Sequence, residues 1–360
     1  MERVKLKDVC TLINGRAYKQ DELLDRGKYP VLRVGNFFSD KEFYYSNLEL
    51  DDNKYCDNGD LLFAWSASFG PKIWDGGKVI FHYHIWKMVL NEKIDRDYLY
   101  YYLNYLSERI KSEGHGGIMI HTTKAEMEER EILLPEITYQ KEIVKRIDGI
   151  SRIIEKRKME LNLLDKLIKA RFVEMFGDPI INSEKLPTMS MTDVCEIIDG
   201  DRGKNYPTAD EFSDEGYCLF LNAKNVTASG FNFDNCMFVS KEKDESLRKG
   251  KLSRGDVVLT TRGTLGNLAF YTDEIPFENV RINSGMVILR MKKEVIDEVY
   301  FIEQFKMQLD DIKEKIASGS AQPQLPISTM NKIQVLIPDI EKQKEFSEFI
   351  KRVDKSKFAA

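Results

Sequence analysis

The sequence contains two copies of one module, and this duplication constrains the fold more than any other feature. The offset between matching segments grows from 185 to 196 to 203 residues, so the loops differ in length while the order is kept. Three matches in a single order indicate an internal repeat. The matching pairs are VKLKDVCTLING (4–15) with MSMTDVCEIIDG (189–200), DNGDLLFAW (57–65) with SRGDVVLTT (253–261), and KAEMEEREILLPEITYQKE (124–142) with ISTMNKIQVLIPDIEKQKE (327–345).

Each copy predicts a unit of mixed α+β structure. Both copies begin with a DVC segment, whose cysteine is expected to be buried as a small apolar residue. Gly-Asp pairs at 59–60 and 255–256 are turn signals that precede apolar, strand-like runs. A helix-like segment follows at 96–112 and 298–318, then a strand that runs into a proline, and then a glutamine that opens the next helix. Further runs rich in strand-forming residues are 28–37, 78–90, 216–226 and 281–290.

A long amphipathic helix is predicted between the copies, at 141–176. Its apolar residues follow a heptad-like spacing with one break at Arg157, which is typical of a helix that packs lengthwise on another helix. Gly177 and Pro179 end the pattern, and 36 helical residues span roughly 54 Å. Ten Lys and Arg residues against six Asp and Glu residues make the segment locally basic. A bare linker would not need the apolar stripe, so a packed coil is favoured over a linker.

Length and composition favour two domains in a cytoplasmic protein. A chain of 360 residues exceeds what one ordinary core accommodates, and its apolar runs fall far short of the roughly 20 residues of a membrane span. The N-terminus leads directly into a strand-like alternation, so no signal peptide is expected. Five scattered cysteines without a CxxC pair predict reduced thiols. The net charge of −5 decides little, because nucleic-acid binding depends on where positive charge lies.

A search for catalytic motifs finds none. The sequence has no GxxxxGK[ST] loop, no GxGxxG after a strand, no G-x-S-x-G and no HExxH. His82 and His84 share one face of a predicted strand, which is a metal-ligand pattern, but no third ligand stands at a readable spacing. A packed or groove-facing pair is the preferred interpretation of the two histidines. We therefore expect no catalytic residue, no metal site and no cofactor site in this chain.

Polar loops at equivalent positions of the two copies favour DNA binding. Arginine, asparagine, glutamine, serine and threonine side chains hydrogen-bond base edges, and lysine and arginine contact phosphates. The alternative for each residue is an ordinary solvated loop side chain. The predicted DNA-binding residues are Arg16, Tyr18, Lys19, Ser66, Ser68, Lys72, His115, His121, Arg202, Lys204, Asn205, Tyr206, Arg262, Thr264, Asn267, Gln322 and Gln324.

The sequence resembles the specificity (S) subunits of type I restriction-modification systems over nearly its whole length. The resemblance rests on the two modules, on LLP…Q (133–140) and LIP…Q (336–343), and on the run LLDKLIKARFVEMFGDP (163–179) that ends the central helix. That last run is its most specific part. The resemblance implies a chain without an active site, in which each module reads one half of a bipartite DNA target.

The resemblance also implies a fold class and partners. The fold is α+β, with two similar target-recognition domains and a long helix between them that packs as an antiparallel coiled coil with a shortened C-terminal helix. The partners are double-stranded DNA, two methyltransferase (M) subunits and a restriction (R) subunit; S-adenosylmethionine, ATP and Mg²⁺ belong to those subunits. The implied segments are domain 1 at 1–139, the central spacer helix at 140–178, domain 2 at 186–342 and the start of a second spacer helix at 343–360. The helix residues expected to contact partners are Ile147, Ile154, Leu161, Leu164, Ile168, Phe172 and Phe176.

The second spacer helix departs from this pattern. The helix near Gln140 runs to Phe176, whereas the chain stops 17 residues past Gln343. The coil is therefore expected to be incomplete, and pairing of two chains is one way to complete it. Two alternatives remain at this point: a duplicated coiled-coil scaffold that binds proteins without DNA specificity, and a nuclease with an unrecognised site.

Overall fold

The chain forms two compact units, Met1–Lys156 (unit 1) and Arg157–Ala360 (unit 2). The structure is a computed structural model that describes residues 2–39, 41–66, 69–113, 122–317 and 324–359. The boundary between the units lies inside the central helix, so the two halves of this helix belong to different units and each unit is described by itself. Among the helices of the described ranges, none combines the length and the apolar character that a membrane span requires.

Unit 1 contains the first module, in which short strands precede the helices. Its elements in chain order are β1 (Glu2–Lys5), β2 (Cys10–Asn14), β3 (Tyr29–Leu32), α1 (Val34–Phe37), β4 (Tyr44–Ser46), β5 (Tyr55–Cys56), β6 (Leu61–Ala64), β7 (Gly70–Ile73), β8 (Val79–Phe81), β9 (Ile85–Leu90), α2 (Arg96–Glu113), α3 (Lys124–Glu128), β10 (Glu131–Leu134) and α4 (Ile137–Phe176), whose second half belongs to unit 2.

Unit 2 contains the second module, with the same succession of strands and helices. Its further elements are β11 (Thr188–Ser190), α5 (Met191–Val194), β12 (Cys195–Asp199), β13 (Cys218–Leu221), β14 (Val226–Thr227), β15 (Gly230–Phe231), β16 (Phe238–Val239), α6 (Lys241–Ser246), β17 (Val257–Thr260), β18 (Leu268–Phe270), β19 (Val280–Ile282), β20 (Met286–Met291), α7 (Glu298–Ala317), α8 (Ile327–Met330), β21 (Gln334–Leu336) and α9 (Ile340–Ala359).

The two units share one sheet topology, which confirms the repeat seen in the sequence. A four-stranded antiparallel sheet has the order β2-β9-β6-β7 in unit 1 and β12-β20-β17-β18 in unit 2. A second sheet contains β4-β3-β8 in unit 1, with β5 added, and β16-β13-β19 in unit 2. The only parallel pairs among the described strands are equivalent, β3 with β8 and β13 with β19. A two-stranded sheet, β1 with β10 or β11 with β21, joins the start of each module to its end.

Both predicted Gly-Asp turns form immediately before a central strand. Gly59 and Gly255 have φ angles of 90° and 93°, in the left-handed region that favours glycine. The carboxylate of Asp60 accepts the backbone N–H of Asp57 at 2.8 Å, and Asp256 makes the equivalent bond in unit 2 at 2.7 Å. The glycine supplies the backbone conformation and the aspartate fixes the turn, so the chain enters β6 and β17 in the same way.

The cysteines of both DVC segments are buried in their cores, as predicted. Burial raises the pKa of Cys10 to about 12 and that of Cys195 to about 12. Both thiols therefore stay protonated near neutral pH, where the thiolate would be the nucleophilic form. They act as small apolar core residues.

Helices α4 and α9 begin three residues before Gln140 and Gln343, the glutamines that were predicted to open them. The backbone carbonyl of Glu136 already accepts the N–H of Gln140 at 3.0 Å, so the first helical turn includes the glutamine. Gln140 and Gln343 are fully buried, and each donates its side-chain amide to the carbonyl of the proline before the helix, Pro135 or Pro338, at 2.8 Å. These glutamines therefore lie inside the first turn instead of opening it.

In unit 2 the second half of α4 packs antiparallel on α9. The ring of Phe172 lies 5.4 Å from that of Phe346, centroid to centroid. Asp165, which precedes Phe172 in α4, lies 2.9 Å from the Nζ of Lys357, which follows Phe346 in α9. Contacts therefore run in opposite directions along the two helices, and the predicted antiparallel pairing is confirmed for this part of the coil. Burial of one phenylalanine side chain stabilises such a contact by roughly 1.5–3 kcal/mol.

One helical turn interrupts a run predicted to be strand. The segment 28–37 forms β3 in its first half, but its end forms α1. The side chain of Asn36 accepts the N–H of Arg33 at 3.3 Å and donates to the carbonyls of Lys41 and Glu42 at 2.6 and 2.9 Å. These local bonds occupy backbone groups that a strand would pair with a neighbour, so the strand prediction is wrong for residues 34–37.

Candidate nucleic-acid interface

Three connections meet at one end of the four-stranded sheet of unit 1. They are the loop after β2, the loop after β6, and the turn of residues 82–84 between β8 and β9, which we call the unit 1 turn. The N–H of Tyr83 donates to the carbonyl of Arg16 at 3.0 Å, and the N–H of Trp65 donates to the carbonyl of His84 at 3.1 Å. Backbone hydrogen bonds therefore hold both loops against the turn.

Unit 2 brings the same three connections together. The turn of residues 283–285 between β19 and β20, which we call the unit 2 turn, meets the loops after β12 and β17. The N–H of Thr261 donates to the carbonyl of Gly285 at 2.8 Å. Two arginines, Arg202 and Arg262, donate from their Nη2 atoms to the carbonyl of Ser284.

A glycine permits this close approach in each unit. A Cβ on Gly15 would lie 2.3 Å from the carbonyl oxygen of His82, and a Cβ on Gly200 would lie 2.1 Å from that of Asn283. Both contacts are with backbone, which cannot give way. Only glycine fits at these two positions, so the loop and the turn can pack directly against each other.

In the loop after β2 of unit 1, the predicted DNA-binding residue Arg16 is paired with a carboxylate of the same segment. Arg16 makes two hydrogen bonds to Glu22, at 2.8 and 2.6 Å, and its guanidinium lies 5.2 Å from the centroid of the Tyr18 ring. The hydrogen bonds from Arg16 and then from the N–H of Lys19 lower the pKa of Glu22 to about 2. The charge of Arg16 is therefore largely committed to Glu22, while the exposed Lys19 side chain points positive charge toward solvent.

The other predicted residues of unit 1 are less accessible. The amine of Lys72 donates to the carbonyl of Phe37 at 3.1 Å and lies 5.6 Å from the centroid of the Trp74 ring, so it stabilises its own module. Ser66 is half-buried. The remaining predicted residues that lie outside the described ranges are Ser68, His115, His121 and, from the second copy, Gln322.

Three predicted residues of unit 2 fix the loops themselves. The side-chain amide of Asn205 donates to the last carbonyl of α6 at 3.0 Å, and that of Asn267 donates to the first carbonyl of β14 at 2.9 Å. Tyr206 packs edge-on against Phe220, 5.7 Å between ring centroids. Their polar atoms and rings are therefore used inside the module and shape the surface indirectly.

The remaining predicted residues of unit 2 lie at its surface. The N–H of Leu325 donates to the carbonyl of Thr261 at 3.1 Å, which brings the exposed Gln324 next to the loop after β17. The set thus combines two arginines and a lysine with polar side chains that can read base edges. The exposed members are Arg202, Lys204, Arg262, Thr264 and Gln324.

A basic cleft of about 290 Å³ opens beside the loop after β12. The nearly buried carboxylate of Asp201 accepts the N–H of Gly203 and the N–H of Arg248, each at 2.6 Å. Burial raises the pKa of Asp201, these N–H bonds lower it, and the net effect is a lowered pKa. The carboxylate therefore stays charged and holds the cleft wall in place. Lys204 and Arg248 line the cleft with positive charge. Sequence reasoning missed Arg248, although the basic run 248–254 was a signal.

The unit 1 turn carries a cluster of rings. His84 lies 4.9 Å from His82, 3.9 Å from Tyr83 and 4.9 Å from Trp65, measured between ring centroids. Burial, then His84 and Arg33, lowers the pKa of His82 to about 4, so the imidazole is neutral near pH 7. Within the described part of the chain, no group of three His, Cys, Asp or Glu residues could hold a metal ion. The two histidines therefore form an aromatic cluster with Tyr83 and Trp65 where the loops meet the turn.

The predicted partner surface on α4 is narrower than its heptad pattern suggested. Ile168, Phe172 and Phe176 are buried in the core of unit 2 beneath α7 and α9, which removes them from any accessible surface. Ile154 and Leu161 are 49% and 41% exposed. Ile147 and Leu164 are half-buried. The accessible apolar stripe therefore lies in the middle of α4.

A family model describes this architecture and its function. The model of the type I restriction modification DNA specificity domain matches residues 1–163 and 184–359. The chain belongs to this family. Both modules match separately, so both are DNA specificity domains, and the alternative of a scaffold without DNA specificity is not supported.

Individual relatives agree with the family match over most of the chain. The MjaVIII specificity subunit of Methanocaldococcus jannaschii is 25% identical over 380 residues, covering 98% of this chain and 86% of the relative. The EcoBI specificity subunit of Escherichia coli is 19% identical over 316 residues, covering 81% of this chain and 65% of the relative. Both are named specificity subunits of type I restriction enzymes.

Solved structures show the same fold. A type I restriction-modification S subunit from M. genitalium superposes with a TM-score of 0.56 at 17% identity, covering 99% of this chain and 90% of that one. A chain from a structure of a type I R-M system superposes with a TM-score of 0.53 at 14% identity, covering 99% and 92%. The α+β fold with two modules and a long helix is therefore that of specificity subunits.

Proposed function

We propose that each module of this DNA specificity subunit reads one half of a bipartite target in double-stranded DNA. The observation that carries the proposal is that the same three connections meet at the same sheet end in both units, with different side chains. Backbone contacts that are the same in both units, combined with different surface side chains, suit two modules that each bind a different half-site. Phosphate contacts by the exposed cations position the modules, and polar side chains at the loop tips select bases.

We further propose that α4 acts as the spacer and as a docking surface for M subunits. Its exposed apolar residues, Ile154 and Leu161, and its basic composition support this role. Two M subunits and an R subunit form the proposed complex. In this assignment the chain is a non-catalytic cytoplasmic component, and S-adenosylmethionine, ATP and Mg²⁺ bind the partner subunits.

The exposed apolar residues of α4 support a second proposal about assembly. On the N-terminal side of the contact between Asp165 and Lys357, Ile154 and Leu161 of α4 are exposed. We propose that a second copy of the chain covers part of this stripe when M subunits are absent. Sedimentation of the purified chain without M subunits tests this proposal, because a monomer at all concentrations contradicts self-association.

Titration of duplex DNA with the chain, alone and with M subunits, tests the main proposal. We expect binding that weakens steeply as salt rises and that prefers one bipartite sequence. Absence of salt-dependent binding in both conditions contradicts DNA recognition. A second assay incubates the chain with plasmid and Mg²⁺ without partners. Cleavage that scales with the amount of chain contradicts the non-catalytic assignment.

A further inference from the structure

The backbone of the unit 1 turn is almost fully engaged by its neighbours. The N–H of His82 donates to a carbonyl of β3 at 2.9 Å, and its carbonyl accepts the N–H of Ile85 at 2.9 Å. The carbonyl of Tyr83 accepts the indole N–H of Trp65 at 2.9 Å. With the bonds to the loops after β2 and β6 already described, the side chains are the groups that the turn can offer to a ligand.

Those side chains stand on a stack of aromatic rings that continues into the core. Trp65 lies 5.8 Å from the buried ring of Trp86 in a stacked arrangement, and Trp86 stacks on buried Phe63 at 6.0 Å. His84 packs edge-on against Trp65, and the Tyr83 ring at the outer end is 39% exposed. A ring held on such a base loses little conformational entropy when it binds, which favours recognition over mere packing.

The charges around the turn suit base edges. The charge of Arg16 is paired with that of Glu22. The positive charge of Arg33 contributes to lowering the pKa of His82. The His82 and His84 imidazoles both have lowered pKa values, first because of burial. A neutral imidazole has one donor and one acceptor nitrogen, so it can pair with either an acceptor or a donor of a base edge in the major groove.

The unit 2 turn offers different chemistry on the same backbone frame. Its residues are Asn283, Ser284 and Gly285, with no ring, and Arg202 and Arg262 converge on its central carbonyl. The strands on either side of the two turns are equivalent, so the two turns present different side chains on the same frame. Two modules that read different half-sites are expected to differ at the residues that touch bases and to agree elsewhere.

We propose that the unit 1 turn is the base-reading tip of its module, with Tyr83 and His84 contacting base edges of duplex DNA in one half of the target. This inference rests on the proposed half-site function. Tyr83 supplies an exposed ring for apolar contacts, such as those with the methyl group of thymine, and His84 supplies a directional hydrogen bond. Lys19, on the adjoining loop, contacts the phosphate backbone beside them.

The test selects preferred sequences from a library of random duplexes, using the full chain with its M subunits. The variants are Tyr83→Ala and His84→Ala, which leave the turn's backbone bonds in place. Tyr105→Ala is the matched control, because Tyr105 is an exposed tyrosine of unit 1 on α2. Chemical unfolding of each variant confirms that unit 1 is folded.

We expect wild type and Tyr105→Ala to select one bipartite sequence. Each turn variant is expected to lose base preference at positions of one half only and to bind the wild-type target about tenfold more weakly, as the loss of one base contact implies. Turn variants that select the wild-type sequence with unchanged preference overturn the inference, as does an equal loss for all sequences. If wild type itself selects no sequence, the half-site function fails, and the inference fails with it.

Discussion

Gln140 and Gln343 make the same three hydrogen bonds in the two modules. The side-chain oxygen of Gln140 accepts the N–H of Asp95 at 2.8 Å, and that of Gln343 accepts the N–H of Asp297 at 2.9 Å. Each amide nitrogen donates to the carbonyl before its helix and to the carbonyl two residues before that aspartate. One buried side chain therefore joins the start of two helices in each unit, which explains why the glutamine recurs.

Replacing Gln343 by alanine is expected to destabilise unit 2. The change leaves one backbone N–H and two carbonyls without their partner in a buried place, at a cost of about 2–4 kcal/mol. Denaturant unfolding measures the loss, and Lys344→Ala, on the exposed side of the same helix, is the control. A loss equal to that of the control shows that water replaces the amide, and contradicts the joining role.

Truncating Phe172 is expected to open the contact between α4 and α9. Phe172→Ala removes a fully buried ring that contacts Phe346, and such changes cost about 3–5 kcal/mol. Val173→Ala, one position along and 44% exposed, is expected to cost less than about 0.5 kcal/mol. Equal midpoints in a urea titration of the two variants would mean that the ring is not part of the core.

Charging the exposed stripe of α4 is expected to impair assembly without unfolding the chain. Ile154→Asp and Leu161→Asp place carboxylates on side chains that are already exposed, so the unfolding free energy should change by less than about 1 kcal/mol. Capture of M subunits should weaken at least tenfold, since a buried unpaired charge costs about 1.4 kcal/mol or more in binding. Val173→Asp, outside the stripe, is the control, and undiminished capture by both stripe variants contradicts docking there.

Removing Arg262 is expected to change DNA selectivity at one half-site only. Its guanidinium is exposed beside the unit 2 turn, while the unit 1 turn belongs to the other module. We expect Arg262→Ala to weaken binding of the preferred target by about 5- to 150-fold. A panel of duplexes with single base changes locates the affected positions. An equal loss of preference at both halves would count against the assignment of one module to each half.

The stability of unit 1 is expected to depend on the protonation of His82. Its pKa falls from 6.5 to about 4 on folding, chiefly through burial, so between these pH values the unfolded chain binds the proton and the folded chain does not. The contribution is complete above pH 6.5 and is lost as the pH falls toward 4. Wild type should therefore lose stability relative to His82→Asn on acidification, by at most about 1.4 kcal/mol per pKa unit. Parallel curves in urea titrations from pH 7 to about 4.5 contradict this.

Element order and the repeat were predictable because their signals are local. Gly59 and Gly255 need a left-handed backbone and Asp60 can fix its own turn, so the sequence alone specifies the turn before each central strand. Helix starts were less predictable. A helix-opening role for Gln140 followed from its position after a proline, whereas its true partners are carbonyls that only tertiary folding brings near.

The candidate interface shows the same limit. Lys72, Asn205 and Asn267 have residue types that suit DNA, yet each is bonded to a carbonyl inside its own module. Residue type predicts what a side chain can bind, but not which acceptor lies closest. The heptad pattern likewise predicted a packed face on α4 without showing that α9 covers Phe172 and leaves Ile154 exposed.

In each module, the strand at its start pairs with the strand near its end. Strand β1 pairs with β10 in antiparallel register, Lys5 opposite Glu131, and β11 pairs with β21 in the same way. We expect a different module to fit between those two positions if it keeps the core residues that contact α4 or α9. Recombination of the gene at these joints is then expected to exchange one DNA specificity domain in a single step.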